Sequence, residues 1–174
     1  MRTRLTQAIA ILTTGLLAGA FGYGAANIAP TFHRVPLQMR LEFHTQLMRA
    51  NSISMQLTMA AAALSCLALA ILTREQARML AGTATALVVS SFAITRLGNV
   101  PINHQINRWV EAGAPENYAQ ILTRWDIFHG IRTGTALLAF GLMIALALWQ
   151  YGRGGQRAVS AQEVAQRSRA LATS

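Results

Sequence analysis

The sequence predicts an all-α protein, a four-helix transmembrane bundle with an amphipathic interfacial helix between the third and fourth spans. Hydrophobic residues make up 53% of the 174-residue chain and charged residues only 12%, about half of the ~25% that is typical of soluble domains. Four apolar stretches also approach or exceed the roughly 20 residues that a helix needs to cross the hydrocarbon core. These stretches are residues 5–28, 53–72, 79–97 and 127–149.

The first apolar stretch begins like a signal peptide. Arg2 and Arg4 precede an apolar run that contains the small residues 18–20, the pattern of a cleavage site. The apolar character continues to Ile28, further than a typical signal core. We therefore expect the first span to be a retained helix.

The basic residues predict the orientation and the tail. With both termini inside, the inner segments carry eight arginines and the outer segments seven, and the positive-inside rule then favours cytoplasmic termini. We expect an integral protein of a bacterial inner membrane. Residues 1–150 would form the transmembrane domain, and residues 151–174 a polar, arginine-rich tail near anionic headgroups.

The formal charge of +9 does not indicate nucleic-acid binding. The arginines are dispersed between apolar runs, without the stripe of basic and aromatic residues that a nucleic-acid groove needs. The lipid bilayer is therefore the expected partner. Small residues at GxxxG spacing let helices approach closely in lipid, either within the bundle or in an oligomer. The two pairs at this spacing are Gly15 with Gly19 and Gly130 with Gly134.

A polar segment, RLGNVPINHQINRWV at residues 96–110, separates the third and fourth spans. Pro101 suits the first turn of a new helix, with Asn99 or Val100 at its cap. From there Ile102, Ile106 and Trp109 form an apolar stripe at helical spacing, with polar residues on the other faces. The pattern predicts an amphipathic helix that lies across the mouth of the bundle and roofs a polar chamber.

The fourth span carries the most specific geometry. Trp125, His129 and Arg132 are spaced i, i+4, i+7 and share one helical face. An intramembrane arginine is costly unless it is paired or faces a polar cavity. An aromatic ring, a titratable base and a permanent cation on one face suit the binding of a flat ligand that becomes an anion. A structural alternative is that Trp125 anchors the helix at the interface and Arg132 pairs with Glu42, Asp126 or backbone carbonyls.

Further candidate residues come from the segments at the same end of the bundle. Those for catalysis, beside His129 and Arg132, are His104, Asn99 and Asn103. Those for substrate binding, beside Trp125, are Trp109, Tyr23, Asn27 and Arg96. No metal is favoured, although histidine and carboxylate are ordinary ligands. If a metal or haem is bound, the candidate ligands are His33, His44, His104, His129 and Glu42.

The chain resembles the anthrone oxygenase-like family of small four-helix membrane proteins across residues 10–145. Two elements carry the resemblance: Asn99-x-Pro101-x-Asn103 with Trp109 downstream, and Trp125-x3-His129-x2-Arg132-Thr133. A glycine-rich first helix, Gly15 to Gly24, followed by a loop with Pro36, also matches. The resemblance implies the fold and topology and, as in a few members, the oxidation of anthrones to anthraquinones. The expected partners are then a small apolar aromatic substrate and O2.

The candidate residues fit such chemistry without a bound cofactor, because an anthrone that loses one proton becomes an electron-rich enolate that reacts with O2. His129 is the preferred base and His104 the second choice. The expected oxyanion donors are Arg132, Asn99 and Asn103, while Trp109 and Trp125 would hold the rings. Two other classes stay open: a metal- or haem-binding redox protein, and a non-enzymatic small-molecule binder or accessory protein.

Overall fold

The computed structural model describes the backbone of residues 2–172 and the side chains of residues 2–153, and within this part every regular element is helical. Two of the elements are short π-helical segments, which we name the first and second π-segment. The elements in chain order are α1 (Arg2–Tyr23), the first π-segment (Gly24–Ile28), α2 (Ala29–Phe32), α3 (Leu37–Leu72), α4 (Glu75–Ile94), the second π-segment (Thr95–Asn99), α5 (Val100–Ala112) and α6 (Tyr118–Ala172).

Four continuous helical rods are long and apolar enough to cross a membrane, which confirms the predicted all-α fold with four spans. The rods are Arg2–Phe32, Leu37–Leu72, Glu75–Ala112 and Tyr118–Arg153. The first packs against the second and fourth, and the third also packs against the second and fourth. This arrangement is a four-helix bundle.

The rods are longer than the predicted spans. Helix α3 begins at Leu37, well before residue 53 where the predicted second span begins, and has 36 residues. At 1.5 Å per residue such a helix is about 54 Å long, whereas the hydrocarbon core is about 30 Å thick. The more polar first part of α3 therefore extends beyond the apolar layer, and most of the predicted first connection is helical.

The amphipathic segment after the third span is a continuation of that span. Helix α5 begins at Val100 with Pro101 in its first turn, as predicted. The Asn99 side chain does not cap it, and the Val100 N–H bonds to the Thr95 carbonyl across the second π-segment. The predicted position across the bundle mouth is therefore wrong: the wider π-turn accommodates the proline without ending the rod, and α5 packs along α3.

The helices enclose two apolar cores. The bundle core lies between the spans and is rich in small residues; its fully buried members include Ala10, Leu17, Ala62, Cys66, Ala81, Ala84, Ala139 and Leu146. The cap core lies where the rods extend beyond the spans. It consists of Phe32, Leu41, Ile102, Ile106, Trp109, Leu122 and Trp125. The predicted apolar stripe of α5 is thus buried against protein.

The glycine pairs contribute less to helix packing than their spacing predicts. A Cβ on Gly15 would lie 3.0 Å from the Phe140 ring, so this glycine does allow close approach. A Cβ on Gly19, Gly130 or Gly134 would meet nothing within 4 Å. Within the chain, the close approach expected at these three positions is wrong, because the small residues that face the bundle core are mainly alanines.

The predicted tail begins within α6, which continues to Ala172. Its arginines beyond Arg153 lie outside the described side chains, so their proximity to headgroups stays a prediction.

Candidate functional site

A cavity of about 410 Å³ lies between the bundle core and the cap core. All four rods line it, and both π-segments contribute to its wall. Its apolar lining includes Phe21, Met48, Met55, Met59 and Phe92. Its polar lining includes Tyr23, Thr95, Arg96, Asn103, His129 and Arg132. An apolar chamber with a few polar groups is the usual form of a small-molecule site.

A cluster of five buried rings beside the cavity connects the cap core to the bundle core. Phe32 stacks on His44 with ring centroids 5.1 Å apart, and His44 meets Trp125 edge to face at 4.7 Å. Trp125 stacks on His129 at 5.1 Å, and His129 meets Phe21 edge to face at 6.2 Å. This ring cluster fixes both histidine rings by packing.

Arg132 is buried and is paired with uncharged groups. Its Nε and Nη2 lie 3.1 and 3.0 Å from Nδ1 of His129, and its Nη1 donates to Thr95 Oγ1 at 3.2 Å. The guanidinium also lies 4.4 Å from the centre of the Phe21 ring, a cation–π contact. The alternative partners Glu42 and Asp126 are not used; the arginine faces the cavity instead.

The contact with Arg132 determines the tautomer of His129. Arginine can only donate hydrogen bonds, so Nδ1 must accept, and the neutral ring carries its proton on Nε2. Nε2 is buried and makes no hydrogen bond to another side chain among the described residues. It faces Gly24, where an added Cβ would lie 3.0 Å away. The glycine in the first π-segment therefore makes room for this ring.

Asn103 is held by two donors from other helices. Its Oδ1 accepts from Trp125 Nε1 at 2.8 Å and lies 3.0 Å from His44 Nε2. Since the tryptophan nitrogen only donates, the Asn103 atom that it contacts must be the oxygen, and His44 must carry its proton on Nε2. The Asn103 amide nitrogen has no hydrogen-bond partner among the described residues, and the side chain lines the cavity. The site thus offers it as a free donor.

The structure brings six of the predicted site residues to the cavity: Tyr23, Arg96, Asn103, Trp125, His129 and Arg132. The other four lie elsewhere. Asn99 is buried and donates to the Trp125 carbonyl at 3.1 Å, so it ties α6 to the second π-segment. Trp109 belongs to the cap core. His104 and Asn27 are exposed and do not line the cavity.

Sequence reasoning missed two contacts of Arg132 and one role. Phe21 and Thr95 touch the guanidinium, although they lie far from it in the chain. His44 was considered only as a metal ligand, yet it holds Asn103. The available signal was its position: once α3 is extended to Leu37, His44 lies on a helix rather than in a connection.

The residues named as candidate ligands, should a metal be bound, lie in different contacts. His33 contacts Asp126 at 3.1 Å, and the exposed Glu42 accepts from Gln38 at 2.7 Å. Among residues 2–153, no three histidine, cysteine or acidic side chains are close enough together to hold a metal ion.

The geometry defines a small four-helix membrane protein with a histidine–arginine pair on the wall of an apolar cavity. A family model described as anthrone oxygenase matches residues 43–142, more than half of the chain. The protein belongs to the anthrone oxygenase family, as the resemblance indicated, and this membership supports an oxygenase-like role at a membrane. The matched segment contains His44, Asn103, His129 and Arg132. No curated protein and no solved structure matches the chain.

Proposed function

We propose that the protein is a membrane-embedded oxygenase that removes a proton from a flat apolar ketone of the anthrone type and allows the resulting enolate to react with O2. The observation that carries the proposal is the contact between Arg132 and His129 Nδ1 on the wall of the cavity. In this contact a neutral imidazole, which can form an enolate by removing a proton, lies next to a fixed cation, which can stabilise that enolate.

The cavity suits such a substrate in size and polarity. Its volume of about 410 Å³ lies within the range of ligand pockets, roughly 300–1,000 Å³. Methionine and aromatic side chains offer a surface for fused rings. Arg132 and Asn103 add donors for the ketone oxygen. An apolar substrate dissolved in the bilayer would find this chamber at the level where the spans end.

In the first step the hydrogen bonds of Arg132 are exchanged. As the ketone becomes an enolate, the guanidinium turns from His129 Nδ1 to the developing oxyanion, where a fixed cation stabilises the transition state. The Nδ1 lone pair that this frees accepts the proton from the methylene carbon, provided that the two atoms come within about 3 Å. The base and the oxyanion donor are thus released together.

The oxygen step is balanced by the substrate itself. The enolate gives its electrons to O2, and a carbon–oxygen bond forms at the former methylene carbon. The peroxide takes the proton from His129. Loss of the second proton from that carbon and of hydroxide then yields the quinone and one water. Anthrone and O2 thus become anthraquinone and water, with no other reductant, and we propose that no bound metal or haem takes part.

Oxygen uptake by the detergent-purified protein tests the proposal, with dihydroxyanthrone as the substrate and a protein-free blank for autoxidation. His129→Asn is expected to lower quinone formation at least about 100-fold, the usual contribution of a general base. His104 is exposed and lies outside the cavity, so the variant His104→Asn distinguishes the two predicted bases. A full rate in His129→Asn would exclude His129, and no uptake above the blank in the natural protein would reject the function.

The cofactor is tested on the same preparation. Elemental analysis is expected to find no stoichiometric iron, copper or zinc. A metal present at one atom per chain and needed for uptake would contradict the cofactor-free route and favour the redox-protein alternative. Tight binding of the anthrone without uptake would favour the non-enzymatic binder instead.

We also propose the orientation. Four crossings place both termini on one side, and the slight excess of arginine there favours the cytoplasm of a bacterial inner membrane. The cavity and the cap core would then lie towards the opposite face.

A further inference from the structure

His44 has no part in the proton transfer, yet it is fully buried beside the site. It belongs to the part of α3 that extends beyond the span, and it does not line the cavity. Its ring packs against both Phe32 and Trp125. Its Nε2 is its only hydrogen-bonding atom with a partner, because Nδ1 is buried without one among the described residues. The hydrogen bond from Nε2 is therefore the polar interaction through which His44 can act on the site.

That partner is Asn103, whose amide orientation affects the chemistry of the cavity. A primary amide offers an oxygen that accepts and a nitrogen that donates. The donors from Trp125 and His44 together occupy both lone pairs of Oδ1. One hydrogen bond would leave the amide plane free to rotate about that contact, whereas two fix it. The amide nitrogen is then the group left for a ligand.

Arg132 likewise presents only hydrogen-bond donors on the neighbouring wall of the cavity. A guanidinium carries five N–H groups and no acceptor, and the side chain lines the cavity. Each of the two buried histidines therefore holds one donor side chain in place: His129 holds Arg132, and His44 holds Asn103. Both histidine rings contact Trp125.

We propose that His44 is a positioning residue that fixes the Asn103 amide with its N–H groups towards the cavity, so that this wall selects flat ligands with an acceptor oxygen, such as a ring ketone. This deepens the proposed function and rests on it for the reaction, although the binding preference can be measured without turnover. A ligand that presents a donor to Asn103 would be left with an unpaired polar group, which lowers affinity.

Two ring systems of the same shape allow a direct test. Anthraquinone carries only acceptor oxygens, and anthracene carries none. Both can be titrated into the detergent-purified full chain by quenching of tryptophan fluorescence. The natural protein is expected to prefer anthraquinone. His44→Phe, which keeps an aromatic ring between its neighbours but removes the donor, should weaken anthraquinone binding up to about tenfold, the value of one hydrogen bond, and leave anthracene binding unchanged.

Matched variants separate positioning from packing. Asn103→Leu should lose the same preference, whereas Asn107→Leu, one turn further along α5 and outside the cavity lining, should keep it. His44→Gln, whose amide can donate to the same oxygen, should restore part of it. His44→Leu replaces the phenylalanine variant if that variant does not fold.

The outcomes are distinct from those of the oxygen-uptake experiment. If the His44 variants lose affinity for anthraquinone and anthracene equally, His44 has a purely structural role and the proposal is overturned. Unchanged affinity for both ligands would also overturn it. If the His44 variants lose the preference for anthraquinone over anthracene, and the natural protein takes up no oxygen, the positioning role is retained and the oxygenase function is rejected.

Discussion

The bundle core and the cap core are built from the same rods but differ in how they pack and in the polarity that they bury. In the bundle core the fully buried side chains are mostly alanines and aliphatic residues. Buried polar groups there include the hydroxyls of Thr14, which donates to the Ala10 carbonyl, and Ser65, which contacts Thr13 on the neighbouring helix. Hydroxyls that bond to their own helix cost little in an apolar layer.

The side nearer the cap buries larger polar groups and connects them between helices. Asn99 donates to the Trp125 carbonyl, His44 donates to Asn103, and Arg132 donates to Thr95. These bonds are specific in direction, whereas the alanine contacts of the bundle depend on shape alone. The comparison teaches that the bundle core provides the frame, and that the polar groups of the site lie between the bundle core and the cap core.

The largest expected effect is that of removing the buried cation. Arg132→Gln should lower quinone formation about 100- to 1,000-fold, the usual loss when an oxyanion donor is removed. Arg124→Gln is the matched control, because Arg124 is an exposed arginine two turns earlier on α6. Steady-state oxygen uptake measures both. Equal activity of the two variants would show that Arg132 takes no part in the reaction, and would weaken the contrast between the bundle core and the side nearer the cap.

A smaller effect is expected from filling the close contact between the second π-segment and α6. A Cβ on Gly98 would lie 2.7 Å from the Phe128 ring, whereas a Cβ on Gly130 would meet nothing within 4 Å. Gly98→Ala should therefore cost about 1–3 kcal/mol of stability, as overpacking does, and Gly130→Ala should be nearly neutral. Thermal unfolding in detergent compares the two. A stable Gly98→Ala with full uptake would show that this contact can relax without disturbing the site.

Local patterns were enough to predict the frame and one face of the site. Apolar run length gave the four spans, and the i, i+4, i+7 spacing gave Trp125, His129 and Arg132, because both depend on neighbours along one helix. The structure places all three at the cavity.

Contacts between distant segments could not be predicted in this way. His44 and Asn103 are 59 positions apart, and Thr95 and Arg132 are 37 apart. Their meeting depends on the extension of α3 and on the phase of α5 after the second π-segment. A π-turn shifts every later side chain around the helix. The predicted apolar stripe of α5 is buried as expected, but the helices that it contacts therefore could not be read from the spacing. Asn99 accordingly ties two helices together, and His104 is exposed.

The most direct test of the account follows the oxygen atoms. The purified natural protein is given dihydroxyanthrone under isotopically labelled O2, and the quinone is analysed by mass spectrometry against the protein-free blank. The account predicts enzyme-dependent quinone that carries one labelled oxygen atom, at the former methylene carbon, and loses this enzyme-dependent fraction in His129→Asn. Unlabelled quinone, or no quinone above the blank, would contradict an oxygenase that acts at this cavity.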